Sequence, residues 1–172
     1  MKKMLNTVIW IACILVVVQG VLLSVLLFSE VIMRYIFNSS IIIVEELSRI
    51  LLIWTGFLGA AIALHEHAHV GIDLIKERLK GKSKRIVQAS ITLLMMVFCS
   101  VILIASFRVV PRQLQQMLPT LRISMFWPYL AIPVSMSICL LRLSYTLACN
   151  LLNKPEDLKS VKDMFDKRRE SA

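Results

Sequence analysis

The chain has 172 residues, 58% of them hydrophobic, a mean hydropathy of +0.75, and only 5 glycines and 5 prolines. That composition excludes a sizeable water-soluble catalytic domain and puts the chain among integral membrane proteins. A net charge of +9 would suggest nucleic acid in a soluble protein, but these basic residues border apolar runs and form no aromatic-interleaved patch, so nucleic acid is not a partner.

Four uncharged runs stand out: Met4 to Ser29, Ile50 to Leu64, Ile86 to Phe107 and Ile123 to Leu141. A spanning helix needs ~20 apolar residues; three runs meet that, and the second does so by extending back through Ile41 to Leu47. The expected fold is an all-α membrane protein with one four-helix transmembrane domain over residues 1–153, its helices at about 5–37, 41–69, 84–110 and 123–153. Short interfacial amphipathic helices and a cytoplasmic amphipathic tail over 154–172 complete it. Basic residues concentrate at Lys2 and Lys3, between Lys76 and Arg85, and between Lys154 and Arg169, so the positive-inside rule makes both termini cytoplasmic. The first run is too long for a cleaved signal peptide and lacks an A-x-A-like site, so it is expected to remain as an anchor.

Helix 1 is expected to continue past the bilayer edge, since Glu30 and Arg34 stand four apart, and to break at Asn38-Ser39-Ser40. Next come Glu45, Glu46 and Arg49, which the spacing puts in one charged cluster at the outer boundary. An intrachain network, a dock for a second membrane protein and an ion relay are its three readings. Within helix 2, Gly56, Gly59, Ala60, Ala61 and Ala63 lie beside Trp54, Phe57 and Leu58. Small residues let helix backbones approach closely, either inside the unit or between subunits.

His65-Glu66-His67-Ala68-His69 matches H-E-x-x-H, the zinc motif in which the two outer histidines bind metal and the glutamate is the base. A catalytic zinc needs a third ligand, and only Asp73 or Glu66 itself is at hand, so a solvated helix end is the preferred reading, without metal or cofactor. Ile72, Ile75 and Leu79 share one face of a short interfacial helix. Helix 3 ends or kinks at Pro111. The loop from Arg112 to Arg122 carries Gln113, Gln115, Gln116 and Pro119, and helix 4 starts near Ile123 with Pro128 and Pro133 in its first turns. Trp127 and Tyr129 suit an aromatic belt, while Arg142 lies within snorkelling reach of phospholipid head groups and is expected to anchor there. In the tail, Leu158, Val161, Met164 and Phe165 recur at helical spacing.

Cys13, Cys99, Cys139 and Cys149 fall in or near apolar runs and are expected to be free thiols. There is no G-x-S-x-G, P-loop, activated cysteine or mid-helix acid, so neither catalysis nor unaided transport is expected. An intramembrane metalloprotease and a self-sufficient small transporter are the rival readings.

The order Arg34-Tyr35-x-Phe37-Asn38, Glu45-Glu46-x-x-Arg49, Trp54-x-x-Phe57-Leu58-Gly59-Ala60-Ala61 and His69-Val70-x-x-Asp73 resembles the small membrane subunit of tripartite ATP-independent periplasmic (TRAP) transporters, DctQ-like. Gln116 with Pro119, and Tyr129 with Pro133, fit the same pattern, while Ser135 stands where such proteins often carry Gly. The resemblance implies a noncatalytic subunit in the bacterial inner membrane, partnered by a large multi-spanning subunit with the sodium sites and, transiently, by a periplasmic solute-binding protein. The implied solutes bear carboxylates: C4-dicarboxylates, 2-oxo acids, sugar acids or sialic acid. It also implies that His69 and Asp73 belong to the family pattern and that the H-E-x-x-H match is accidental.

Overall fold

The structure, a computed structural model, describes residues 2–39, 41–67 and 82–151. Among them helix dominates: α1 (Lys2–Tyr35), α2 (Ile42–His67), α3 (Lys82–Val109), a 3-10 helix (Val110–Gln115), α4 (Phe126–Tyr129) and α5 (Ala131–Leu151). Four segments are long and apolar enough to cross a membrane: Met4–Tyr35, Ile42–Glu66, Ala89–Gln115 and Phe126–Asn150. The interfacial helix expected around 72–80 and the tail over 154–172 lie outside the described residues.

Each boundary has a local cause. Asn38 takes a left-handed φ of 50° and the Ser39 N–H reaches back 3.1 Å to the Met33 carbonyl, ending α1 as an Asn C-cap does. At the start of α2 the Val44 N–H closes on the Ile41 carbonyl at 2.9 Å, and Glu45 in the first turn suits the positive end of the helix dipole. Pro111 lacks the N–H that would continue α3, so the chain tightens into the 3-10 helix. The fourth span does not begin at Ile123 as the apolar run suggests. It begins at Phe126 and is interrupted at Leu130, because Pro133 has no N–H to offer the Tyr129 carbonyl.

The helices run up and down, so the described starts of α1 and α3 and ends of α2 and α5 share a terminal end, and residues 36–39 and 110–130 share a loop end. α1 packs on α2, α3 packs on α5, and α2 with α5 joins the two pairs. Of the apolar window of the Phe126–Asn150 span 44% is buried, against 11% in the first span, so α5 is the central rod. Ile9, Ala12 and Cys13 of α1, Leu58 and Ala61 of α2, and Cys99 of α3 meet Met136, Ile138, Cys139 and Leu143 of α5 in one core. The cysteines are free, and Cys13, Cys99 and Cys139 fill core positions as small hydrophobes. Ser135 is fully enclosed, and its hydroxyl donates to the Ala131 carbonyl at 2.8 Å, which lets serine sit in apolar packing.

Val17, Val21, Val25 and Phe28 of α1, and Leu94, Phe98, Val101 and Phe107 of α3, point outward. Such surface is costly in water and neutral against acyl chains.

Arg142 was expected at lipid head groups, and its placement differs. The residue is 1% exposed; its Nη1 donates to Thr146 Oγ1 at 2.7 Å and its Nη2 to the His65 carbonyl at 3.5 Å. The cause is helix phase: Arg142 lies on the face of α5 that carries the core residues Ile138, Cys139 and Leu143, so the guanidinium turns in to the end of α2. Arg142→Ala should lower the thermal midpoint of the detergent-purified chain by about 6–12 °C, read by circular dichroism, the shift expected for a loss of ~3 kcal/mol in a chain of this size. A lipid-facing anchor would leave the midpoint unchanged.

Candidate functional site

The polar groups that the sequence singled out gather at the loop end. After the 3-10 helix the chain forms a tight hairpin: Met117 pairs antiparallel with Ser124, the Leu118 N–H donates to the Ile123 carbonyl at 2.9 Å, and the Met125 N–H to the Gln116 carbonyl at 2.8 Å. Pro119 presets the turn, and Arg122 adopts a positive φ of 50°. Ser124 holds the base, its hydroxyl donating to the Gln113 carbonyl at 3.1 Å and accepting the Phe126 N–H at 3.2 Å.

The tip of this hairpin lies on α2. Glu46, 7% exposed, accepts the Thr120 N–H at 3.1 Å on Oε1 and the Leu121 N–H at 2.9 Å on Oε2. One carboxylate thus satisfies two adjacent backbone donors more than 70 residues away in sequence, a bidentate charge-assisted contact. One helical face below, Trp54 Nε1 donates 3.2 Å to the Trp127 carbonyl, tying α2 to α4. Between α1 and α2 the Thr55 hydroxyl donates to Gln19 Oε1 at 3.5 Å.

The expected three-membered cluster of Glu45, Glu46 and Arg49 is therefore divided. Arg49 Nη2 meets Glu45 Oε1 at 3.1 Å on the outside of α2, while Glu46 faces the hairpin. Successive residues in a helix diverge by about 100°, so Glu45 and Glu46 cannot share a face, and the backbone donors claim the second. The expected Glu30–Arg34 pair does not form; Arg34 is exposed in the last turn of α1.

The remaining predicted positions separate. Asn38 serves the turn after α1. Gln116 and Tyr129 work through backbone, Gln116 in the hairpin ladder and the Tyr129 N–H on the Met125 carbonyl at 3.4 Å. Pro133 shapes the α4–α5 break, and its carbonyl accepts the Ser137 hydroxyl at 2.7 Å. A Cβ added at Gly56 or Gly59 would meet nothing within 4 Å among the described residues, so these two positions of α2 are open. His65 is buried beside Arg142, whereas His69 and Asp73 lie outside the described residues, so the H-E-x-x-H match is described only through residue 67. Sequence reading missed the donors that Glu46 accepts from and the acceptor of Trp54, because backbone N–H and C=O groups leave no mark in side-chain identity.

Glu46→Ala frees the two hairpin amides, and amide exchange at Thr120 and Leu121 should accelerate about 10- to 100-fold, the ratio set by ~1.5–3 kcal/mol for charge-assisted bonds. Unchanged exchange there would show that the hairpin holds itself.

With this geometry in hand, the comparisons with known proteins acquire a location. The family model described as tripartite ATP-independent periplasmic transporters, DctQ component, matches residues 23–153, a stretch that runs from the middle of α1 through α5. A TRAP transporter small permease protein of Haemophilus influenzae is 36% identical over 103 residues, covering 60% of this chain and 62% of that protein. The isethionate TRAP transporter permease protein DctMQ of Oleidesulfovibrio alaskensis is 27% identical over 106 residues, which make up 60% of this chain and 17% of that protein. The match therefore spans less than two thirds of either relative's own length. The sialic acid TRAP transporter small permease protein SiaQ of Vibrio cholerae is 28% identical over 134 residues, 78% of this chain and 76% of that one. The chain belongs to the DctQ component family of TRAP transporters, and is a membrane-spanning permease subunit rather than an enzyme.

Proposed function

We propose that this subunit is a fixed frame for the large permease subunit of a sodium-coupled, binding-protein-dependent TRAP transporter in the bacterial inner membrane, with both termini cytoplasmic. The reading is carried by the outward face of α2, where Gly56, Ala60 and Ala63 recur at one-turn spacing and are exposed. In lipid, faces of small residues are where a second helix comes close.

The relatives agree with such a partner. In DctMQ, and in the sialic acid permease protein SiaT of another Haemophilus influenzae strain, the match occupies 17% and 12% of the polypeptide, so the unit is found as a minor part of a larger permease. The solutes in the relatives' names, isethionate and sialic acid, are organic acids, and an organic anion is the proposed solute class here. Glu46 and Trp54 orient the loop end, and the exposed Gln116 side chain beside the hairpin is the proposed touchpoint for a solute-binding protein. Glu45 and Arg49 sit at the rim and Arg142 clamps α5 to α2.

Gly56→Leu tests the frame, because Gly56 is exposed and a Cβ added there meets no described residue within 4 Å. The isolated variant should unfold at the wild-type temperature or above it, while recovery of the large subunit on affinity purification drops about tenfold and solute uptake by the reconstituted complex falls with it, as for loss of ~1.4 kcal/mol of association. Full recovery and uptake would count against docking on this face. The wild-type chain alone, in sealed vesicles, should move no solute.

A further inference from the structure

We propose that the cleft between α1 and α2 at the loop end holds the head group of a phospholipid bearing a primary amine. The cleft encloses about 220 Å³. Its apolar part is Leu23, Leu27 and Leu52, and its polar part is Glu30, Ser48 and the Glu45–Arg49 pair. The order matches a membrane boundary: the leucines belong to the apolar lengths of the two helices, and Glu30 is the first charge after the run that ends at Ser29.

Ser48 is the observation that points to a ligand. It is 5% exposed, lines the cleft, and its Oγ has no hydrogen-bond partner among the described residues. Other helical serines satisfy themselves on their own backbone: Ser24 on the Gly20 carbonyl at 2.9 Å, Ser100 on Met96 at 2.8 Å, Ser137 on Pro133 at 2.7 Å. A buried hydroxyl turned away from that option keeps the full cost of its lost hydration unless an acceptor reaches it from outside the chain.

Charge selects the acceptor and its companion. Two carboxylates and one guanidinium leave the cleft with a surplus negative charge, so an anionic lipid is disfavoured although Arg49 and Ser48 both present donors. A zwitterion resolves this: its phosphate takes the Arg49 and Ser48 donors, and its ammonium donates to Glu30 and Glu45. A quaternary choline has no N–H to donate, which leaves ethanolamine. The acyl chains then continue along Leu23, Leu27 and Leu52. The site is formed by this chain alone and does not depend on the frame described above.

The test is native mass spectrometry of the detergent-purified full chain with equal amounts of dioctanoyl phosphatidylethanolamine, phosphatidylcholine and phosphatidylglycerol. One phosphatidylethanolamine should be retained about tenfold more often than either competitor, the ratio carried by one charge-assisted hydrogen bond. Ser48→Val should reduce retention of that lipid, and Glu30→Gln should erase the preference over phosphatidylglycerol, with circular dichroism confirming the fold of each variant. Equal retention of the three lipids, a preference untouched by Glu30→Gln, or loss of the bound lipid when the large permease subunit joins would overturn the assignment.

Discussion

Water does not reach the middle of a bilayer, so a polar group drawn into a membrane bundle has to find its partner in protein. Two charged residues meet that demand in complementary ways at opposite ends of this molecule. At the loop end Glu46, on α2, accepts two backbone N–H groups of the hairpin; at the terminal end Arg142, on α5, donates to a backbone carbonyl of α2. Each reaches a backbone group on a different segment of the chain. Each also bears on the contact between α2 and α5, which joins the two helix pairs. The bond from Trp54 to the Trp127 carbonyl adds a third tie at the α4–α5 break, where Pro133 disrupts the regular ladder.

These ties explain why so short a segment at the loop end holds a defined shape. The hairpin has only a few ladder bonds of its own, and two-stranded hairpins are marginal in isolation. Pro119 and the positive φ at Arg122 bias the turn, Ser124 fastens its base, and the Glu46 carboxylate captures its tip. A glutamate at the first turns of a helix is already stabilised by the helix dipole. The same side chain therefore serves α2 and the hairpin together.

Much of this architecture is legible in the sequence because membrane spans are set by length and apolarity, which residue identities carry directly. The second span shows both the strength and the limit of that logic: extension back from Ile50 gave a helix of the observed kind, yet the charges on the extension were read as one cluster. Glu45 and Arg49 do pair at four-residue spacing, but Glu46 turns to another face and binds atoms that every non-proline residue possesses. Arg142 failed for a related reason. Its distance from the end of an apolar run says that a cation can reach the interface, whereas the phase of α5 decides whether it faces lipid or core, and that phase follows from packing against helices far away in sequence.

α2 bears a different load on each side. One face is fixed by Glu46, Trp54, Leu58 and Ala61 against its own chain, while the opposite face offers glycine and alanine with empty space over them. A surface presented for association gains affinity when it is already rigid, since ordering it on contact would subtract from binding. The polar ties at the two ends of α2 supply that rigidity without placing any charge on the outward stripe. A loose α2 would have to be ordered anew with each encounter. The division of the charged residues into an inward tie at Glu46 and an outward pair at Glu45 and Arg49 is then one arrangement with two consequences: the helix is held, and the rim beside the small-residue face stays free to meet molecules outside the chain.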